Sequence, residues 1–168
     1  MSKINYDIDA LEYISKLSEG GLRDAITLMD KCLAYSTELT LENVVKALGT
    51  TDYDTMFELT NLLMNCDFNA IKIIEDLHNS GKDLKQFVRL YMQFLLDANK
   101  YAVGCDWQYI NIPKLDNYET WLKNMSCTDE ADVILKLLSM FINLNSAIKY
   151  SPSPKYDIEA EIVRWCSE

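Results

Sequence analysis

Apolar residues in the first fifty positions of the chain recur with the spacing of short amphipathic helices. Three such patterns follow one another, over residues 8–17, 22–35 and 41–48. Gly20 and Gly49 can end two of these helices, and the pattern predicts a three-helix unit that is marginal in size for folding alone. The apolar positions expected to face its core are Ile8, Leu11, Ile14, Leu17, Leu22, Ala25, Ile26, Met29, Leu33, Leu41, Val44, Val45 and Leu48.

Longer patterns of the same kind continue to the end of the sequence. Thr40, Asp67 and Asp83 can cap helices, and Thr128 or Asp129 can begin another. The run YSPSP ends that helix, because proline neither continues a helix nor favours helical geometry in the residue before it. Short turns between these helices favour antiparallel packing. The longer helices are predicted at about residues 54–64, 68–80, 84–103, 128–150 and 155–167.

The stretch between residues 104 and 127 breaks this periodicity, although the run NYETWLKNM within it can form a short helix. It is rich in tryptophan and tyrosine, which can form an interaction surface. Aromatic residues in an irregular segment more often cover the edge of a core. We expect this second role here.

Composition supports a helical protein. Five glycines and three prolines in 168 residues are few for a fold with many turns, and 49% hydrophobic residues supply a core. We therefore predict an all-α fold without a β-sheet of three or more strands. A small three-helix domain is expected over residues 1–49 and a helical bundle over residues 50–168.

Charge and cysteine content argue against several classes of function. The net charge is −10, and both predicted domains are acidic, so neither offers the basic surface that binding to a phosphate backbone needs. The five cysteines form no C-x-x-C pair, so we expect reduced thiols in the cytoplasm rather than a disulfide framework or a zinc site. The sequence begins without a recognisable signal peptide, and no apolar run approaches the roughly 18 to 20 residues of a membrane span.

Sequence motifs of catalysis are absent. The sequence contains no phosphate-binding P-loop, no G-x-G-x-x-G, no nucleophile elbow and no H-E-x-x-H. His78, the single histidine, falls at the predicted C-terminal end of a helix, where a cation is favourable, so we interpret it as a surface residue. We predict no catalytic residue and no metal site in this chain.

The stretch SEGGLRDAITLMD, residues 18–30, is the exception. Arg23 falls in the first turn of a predicted helix, where a cation is disfavoured because the free N–H groups already carry partial positive charge. Gly20 and Gly21 leave those N–H groups approachable, and together with the guanidinium they form a site suited to phosphate. The alternative is a surface ion pair between Arg23 and Glu19.

This stretch resembles the G-S-x-R-D-A-L-S-L-L-D-Q motif of the gamma/tau subunit of bacterial DNA polymerase III, the motor subunit of the sliding-clamp loader. The resemblance extends over most of the chain, through LTLENVVKALG and DFNAIKIIEDLHNSGKDLKQF. Near the end, Pro154 and Glu159 are in register with the family, and Lys155 replaces its usual arginine. The residues that match the motif are Gly20, Arg23, Asp24, Ala25, Leu28 and Asp30, whereas Gly21, Ile26, Thr27, Met29 and Lys31 depart from its commonest form.

The resemblance implies a lid domain over residues 1–49 and a collar domain over residues 50–168. In the family the lid folds over the nucleotide bound to a preceding AAA+ ATPase domain, and its sensor-2 arginine binds the terminal phosphate. Arg23 matches that arginine, and the collar domains of the family hold the loader subunits together in a ring. The motif residues that support Arg23 are Gly20, Gly21 and Asp24.

The P-loop, the Mg²⁺-binding acids, the zinc-binding cysteines and the arginine finger of that ATPase domain do not occur in this sequence. The resemblance therefore implies a lid and collar cut from a longer parent, without enzyme activity or a cofactor of its own, while the parent binds ATP and Mg²⁺. The implied partners are the clamp-loader subunits gamma/tau, delta and delta prime. The sliding clamp and primer-template DNA would be reached through the whole complex, and no membrane is implied.

The predicted C-terminal helices carry more apolar positions than one buried stripe needs, which is typical of a surface that meets a partner. We assign this surface to the helices over residues 128–150 and 155–167, with part of 84–103. The isolated chain is then expected to be monomeric or a weak homo-oligomer. Burial of the same residues inside the collar bundle is the alternative. The interface candidates are Leu138, Phe141, Ile162 and Trp165.

Two other functions are compatible with the sequence. A stand-alone helical interaction or adaptor protein would share the lid and collar architecture without the motor. An enzyme whose site assembles at an oligomer interface would need no complete catalytic motif within one chain.

Overall fold

The structure is a computed structural model that describes residues 5–18, 20–48 and 53–167. Over these residues the chain is mostly helical, with nine α-helices and one pair of two-residue strands. The predicted all-α fold is therefore confirmed.

Contacts divide the chain into two compact units. The first consists of Met1–Asp52 and Asn111–Trp121, and the second consists of Tyr53–Ile110 and Leu122–Glu168. The domain boundary that the sequence predicts at Gly49 lies outside the described residues and stays a prediction. The structure adds that a short stretch from the middle of the chain packs with the first unit.

In the first of its two stretches, the described residues of the first unit form three helices and two short strands. The second stretch, from the middle of the chain, joins them later in the sequence. The strands pair in parallel, with Tyr6 beside Leu39, and the N–H of Asp7 donates to the Leu39 carbonyl at 3.0 Å. Thr40 caps the third helix as predicted, because its Oγ1 accepts from the N–H of Asn43 at 3.2 Å. The elements are β1 (Asn5–Tyr6), α1 (Ile8–Leu17), α2 (Leu22–Tyr35), β2 (Glu38–Leu39) and α3 (Leu41–Leu48).

The core of the first unit is small, and Leu115 from the later stretch packs against it. Its buried residues are Ala10, Tyr13, Ile14, Cys32, Leu39, Leu41, Val44 and Leu48. The predicted core is wrong at several positions, because three short helices present more apolar side chains than their small common core can cover. The expected core residues that are exposed instead are Ile8, Leu11, Leu17, Leu22 and Ile26.

The second unit is built from longer helices. Asp83 caps the helix α6 (Leu84–Ala102) as predicted, because its Oδ1 accepts from two N–H groups in the first turn of that helix. The prediction that Asp67 caps a helix beginning at Phe68 is wrong: its Oδ1 accepts from the backbone N–H and the side-chain amide of Asn69, and the helix α5 (Ala70–Asn79) begins after that turn. The elements are α4 (Tyr53–Met64), α5 (Ala70–Asn79), α6 (Leu84–Ala102), a 3₁₀ turn (Trp107–Tyr109), the end of α7 (Asp116–Asn124), α8 (Thr128–Ile148) and α9 (Pro154–Ser167).

Aromatic rings fill the core of the second unit. Tyr91 of α6 is buried, and it stacks on Phe87 and Phe94 with ring centroids 6.0 and 5.9 Å away. It meets Phe141 of α8 edge-on at 4.7 Å. The Tyr91 hydroxyl lies 2.8 Å from Oγ1 of Thr60, which itself donates to a backbone carbonyl one turn earlier. Since Thr60 has one hydroxyl proton, the Tyr91 hydroxyl donates in this buried hydrogen bond.

Among the described helices, α8 alone is long and apolar enough to cross a membrane by length and composition, with a mean hydropathy of 1.4 over Asp129–Ile148. The sequence nevertheless shows no uninterrupted apolar run of that length. The core helix of a soluble protein has the same character, and α8 packs on α6 through side chains such as Phe141. Leu135 and Ile142 of α8 are exposed, so the helix has both a packed apolar face and an exposed one.

Candidate functional site

The two glycines in the turn between α1 and α2 have different roles. Gly20 has a φ of +83°, a left-handed conformation that other residues adopt at a cost. Gly21 has an ordinary extended conformation, and its N–H donates to the Ser18 carbonyl at 2.7 Å. A Cβ at Gly21 would lie 3.2 Å from that carbonyl oxygen and 2.9 Å from Oδ2 of Asp24. Gly20 therefore permits the turn, and Gly21 permits the close approach of the first turn of α2.

The helix α2 begins without a side-chain cap. Gly21 is its N-cap residue, and the Gly21 carbonyl accepts the first helical hydrogen bond from the N–H of Ala25 at 2.9 Å. Within the described parts of the chain, the N–H groups of Leu22, Arg23 and Asp24 find no acceptor. The start of α2 therefore presents polarised N–H groups, and the carboxylate of Asp24 is favourable beside them.

Arg23 is the second residue of α2, and its side chain is exposed. No ion pair or hydrogen bond joins its guanidinium to any residue that the structure describes. Its backbone carbonyl accepts from Oγ1 of Thr27 at 2.9 Å, as part of the ordinary helix surface. Glu19, the alternative partner from the sequence, lies outside the described residues.

Two exposed apolar side chains flank Arg23. Leu22 and Ile26 lie one helical turn apart on α2 and are 77% and 46% exposed. Periodicity assigns both to the core, because a helical stripe in a sequence does not tell which of its members the neighbouring helices cover. We call the exposed set of Leu22, Arg23 and Ile26 the Arg23 surface.

The four predicted interface residues lie in the second unit. Leu138 and Phe141 of α8 and Ile162 of α9 are buried. Trp165 is partly buried, and its Nε1 donates at 2.8 Å to the carbonyl of Leu63 in the last turn of α4. The same two helices expose a different apolar set: Leu135, Ile142, Tyr156 and Val163. A partner that meets these helices would therefore contact this second set first.

The segment in register with the family near the C-terminus forms the start of α9. Pro154 is the first residue of the helix, a position where its missing N–H has no cost. Nζ of Lys155 lies 3.7 Å from a carboxylate oxygen of Glu75 on α5 and 3.7 Å from one of Glu159 in the next turn of α9. The lysine that replaces the usual arginine thus links α9 to α5.

Most aromatic residues in the stretch between α6 and α8 are covered. Trp107 meets Tyr101 edge-on with ring centroids 5.6 Å apart, Tyr118 is buried and Trp121 is partly buried. Tyr109 is exposed, although its backbone carbonyl accepts from Nζ of Lys100. The run NYETWLKNM falls largely within α7, so the predicted short helix is confirmed. Covering the edge of a core therefore describes this stretch better than an interaction surface does.

The structure offers little for metal chemistry. Across residues 5–18, 20–48 and 53–167, no group of three or more histidine, cysteine, aspartate or glutamate side chains is arranged to hold a metal ion. His78 is exposed in the last turn of α5.

No protein-family model matches the chain. Similar curated proteins include the DNA polymerase III subunit gamma of Buchnera aphidicola, 28% identical over 130 residues, and the subunit gamma/tau of Mycoplasma genitalium, 29% identical over 120 residues. The DNA polymerase III subunit tau of Bacillus subtilis is 21% identical over 159 residues. The matches cover 68%, 70% and 94% of this chain.

This chain is similar to a part of the gamma/tau subunits. The resemblance that the sequence predicts is therefore confirmed. The chain spans 35% of the length of the Buchnera relative, 19% of the Mycoplasma relative and 28% of the Bacillus relative.

Proposed function

We propose that this chain acts in DNA replication as the lid and collar part of a clamp-loader subunit of the gamma/tau kind. The similarity to three gamma/tau relatives carries the proposal. In it the first unit serves as the lid and the second unit as the collar. The chain binds protein partners in the cytoplasm, namely other loader subunits, and ATP hydrolysis takes place in an AAA+ ATPase domain.

Arg23 is the proposed nucleotide sensor. A guanidinium offers several fixed donors and binds a phosphate through two of them at once, which a lysine cannot do. The exposure of Arg23 and the polarised N–H groups at the start of α2 support this role. The exposed Leu22 and Ile26 on either side give the Arg23 surface an apolar border, which suits docking against another folded domain.

The test of the sensor uses a chimera in which this chain follows the ATPase domain of a gamma/tau subunit. Arg23→Ala should lower clamp- and DNA-stimulated ATP hydrolysis by roughly 10- to 100-fold, because a hydrogen bond to a charged group contributes about 1.5–3 kcal/mol. Arg89→Ala removes an exposed arginine of α6 and should leave the rate unchanged. Equal rates for the two variants would contradict the role of Arg23.

A second experiment tests the collar. The chain should bind delta and delta prime subunits in a pull-down with purified proteins. Leu135→Asp combined with Ile142→Asp should weaken this binding, because both side chains are exposed on one side of α8. Phe68→Asp changes an exposed apolar residue outside the helices assigned to this surface and serves as the control.

A stand-alone helical interaction module is the alternative function. It would give no ATPase response in the chimera and no binding to loader subunits, while the chain keeps its fold by circular dichroism. The many apolar side chains exposed on α1 and α2 are compatible with this alternative as well.

A further inference from the structure

A cleft of about 370 Å³ lies in the second unit, where the end of α4 meets the start of α8. Its volume is at the lower end of the roughly 300–1,000 Å³ that ligand sites occupy. The cleft is open to solvent, because several of the residues that line it are exposed. None of them belongs to the Arg23 surface or to the exposed apolar set of α8 and α9. The lining residues are Asn61, Met64, Asn65, Met125, Asp129, Glu130 and Val133.

Methionine side chains form most of the apolar part of this cleft. Met64 is the last residue of α4 and Met125 lies between α7 and α8, and both are partly buried. Val133, in the second turn of α8, adds a third apolar side chain. Unbranched thioether side chains adapt their shape to the group that they contact. The apolar part of the cleft therefore suits a flexible methylene stem.

Two carboxylates give the cleft its charge. Asp129 and Glu130 lie in the first turn of α8, and no lysine or arginine that the structure describes forms an ion pair with either of them. The side-chain amide N–H of Asn65 donates to the Asn61 carbonyl at 2.7 Å, which leaves its Oδ1 as an acceptor. The C-terminal end of α4 adds partial negative charge. The cleft is therefore suited to a cation.

We propose that this cleft binds an arginine side chain of a partner protein. The methylene stem of the arginine lies against Met64 and Met125, and the guanidinium faces the two carboxylates. A guanidinium has several donors in one plane and serves acceptors on two neighbouring residues at once, whereas an ammonium is a point charge. A partner protein covers the open side of the cleft and adds contacts around it, which a free small molecule cannot do. The inference does not depend on the proposed role in clamp loading.

A second cleft of the same unit provides an internal control. It has a volume of about 280 Å³, lies between α8 and α9 and also contains a methionine, Met140. The carboxylate of Glu161 in this cleft already forms an ion pair with Arg164 of the same helix. An arginine from a partner would have to displace Arg164, so we expect no binding there. The other lining residues are Asn143 and Trp165.

The experiment adds a blocked pentapeptide, with one arginine between two pairs of alanines, to the full chain labelled with ¹³C at its methionine methyl groups. The NMR signals of Met64 and Met125 should shift together and saturate, with a dissociation constant on the order of millimolar for so small a ligand. The signals of Met140 and of the buried Met56 should stay in place. Equal shifts at Met140 would overturn the proposal.

Matched peptides test which property of the arginine is recognised. Citrulline has nearly the shape of arginine without its charge, so the citrulline peptide should cause no shift at Met64 or Met125. The lysine peptide should bind several-fold more weakly, because its ammonium cannot serve both carboxylates in one plane. Shifts with citrulline equal to those with arginine would overturn the proposal. Equal affinity for lysine would overturn the assignment to arginine.

Free L-arginine separates a partner protein from a small molecule as the source of the guanidinium. Its α-carboxylate is repelled by the acidic cleft, whereas the blocked peptide carries no such charge. The free amino acid should therefore bind more weakly than the peptide. Equal or tighter binding of free arginine would identify a small-molecule site and overturn the proposal.

Variants test the two carboxylates. Asp129→Asn combined with Glu130→Gln should weaken binding of the arginine peptide roughly tenfold, because the amides keep the shape of the carboxylates but not their charge. Asp132→Asn removes an exposed acid of the same helix that does not line the cleft, and should keep the affinity within about twofold.

Acids in the first turn also stabilise α8, so thermal unfolding of each variant distinguishes a lost charge from a lost fold. Unchanged affinity in the folded double variant would overturn the proposal. The comparison of the arginine and citrulline peptides needs no variant, and it decides the question if the double variant does not fold.

Discussion

The two units differ in how their apolar residues are used. In the first unit α1 and α2 expose Ile8 and Leu22 at 70% and 77%, and a single small cluster forms the core. In the second unit a connected set of aromatic rings around Tyr91 packs α6 against α8. The first unit therefore depends on a few buried side chains, whereas the second distributes its packing over many.

The buried rings of the second unit stabilise its fold, whereas the exposed apolar side chains of the first unit form a surface that a partner can contact. A core residue of the second unit is one of many that contribute to stability, but its truncation still creates a large cavity. Truncation of a core residue in the first unit removes a larger fraction of that unit's free energy of unfolding. The following changes test this comparison, beginning with the largest expected effect.

Phe141→Ala should lower the free energy of unfolding of the second unit by about 3–5 kcal/mol, because it deletes a fully buried ring that contacts Tyr91. Ile142→Ala is the neighbouring control on the exposed side of α8, and its cost should stay below about 1 kcal/mol. Urea unfolding followed by circular dichroism measures both. Equal costs would mean that the ring cluster is not the centre of this core.

Ile14→Ala should lower the free energy of unfolding of the first unit by about 2–4 kcal/mol, which is a large part of the stability of a domain of this size. We expect amide hydrogen exchange in α1, α2 and α3 to increase greatly while α6 and α8 keep their protection. Leu11→Ala, at a more exposed position of the same helix, should have little effect. Loss of protection in α6 and α8 to the same extent would show that the two units unfold together.

The left-handed positions of the two units should respond in opposite directions. Gly20→Ala should destabilise the first unit by about 1–2 kcal/mol, because alanine is strained at its positive φ. Cys66→Gly should stabilise the second unit by about 1 kcal/mol, because glycine relieves the same strain. Thermal unfolding measures both changes. Cys105→Gly removes an exposed cysteine outside such a position, so a gain there equal to that of Cys66→Gly would contradict the explanation.

Tyr91→Phe should cost about 1 kcal/mol at neutral pH, because Thr60 keeps its bond to the Met56 carbonyl and one buried hydrogen bond is lost. Burial raises the pKa of Tyr91 above its usual value of 10, so above pH 10 the unfolded chain loses this proton first. The stability that Tyr91 contributes is present below that pH and declines as pH rises, by up to about 1.4 kcal/mol per unit. Urea unfolding between pH 9 and 11 should show a weaker decline in the variant, and identical declines would contradict the assignment.

Helical periodicity and caps predicted the elements well, since both are local. The caps by Thr40 and Asp83 and the short helix in the aromatic stretch are present. Asp67 failed as a cap because an aspartate can equally stabilise a turn before a helix, and local sequence does not distinguish the two.

Contacts between distant residues could not be predicted from the sequence. The indole of Trp165 bonds a carbonyl 102 positions earlier, and Lys155 reaches Glu75 on another helix. Exposure of Leu22 was missed because a helical stripe does not reveal which neighbours cover it. The start of α2 after the glycines was predicted, because Gly20 adopts a positive φ that few other residues tolerate and Gly21 leaves room for the first turn.

The first unit is assembled from two stretches of chain, Met1–Asp52 and Asn111–Trp121, and this has a consequence during synthesis. A ribosome delivers the chain in order, so the earlier stretch emerges while Leu115 has not yet been made. The buried core residues of this unit have then been made, but Leu115, which packs against them, follows only after the helices α4, α5 and α6 have emerged. A gene shortened after residue 52 would encode three helices without the side chain that packs against their core. For this protein the packing of the first unit to be synthesised is completed by a stretch that is synthesised later.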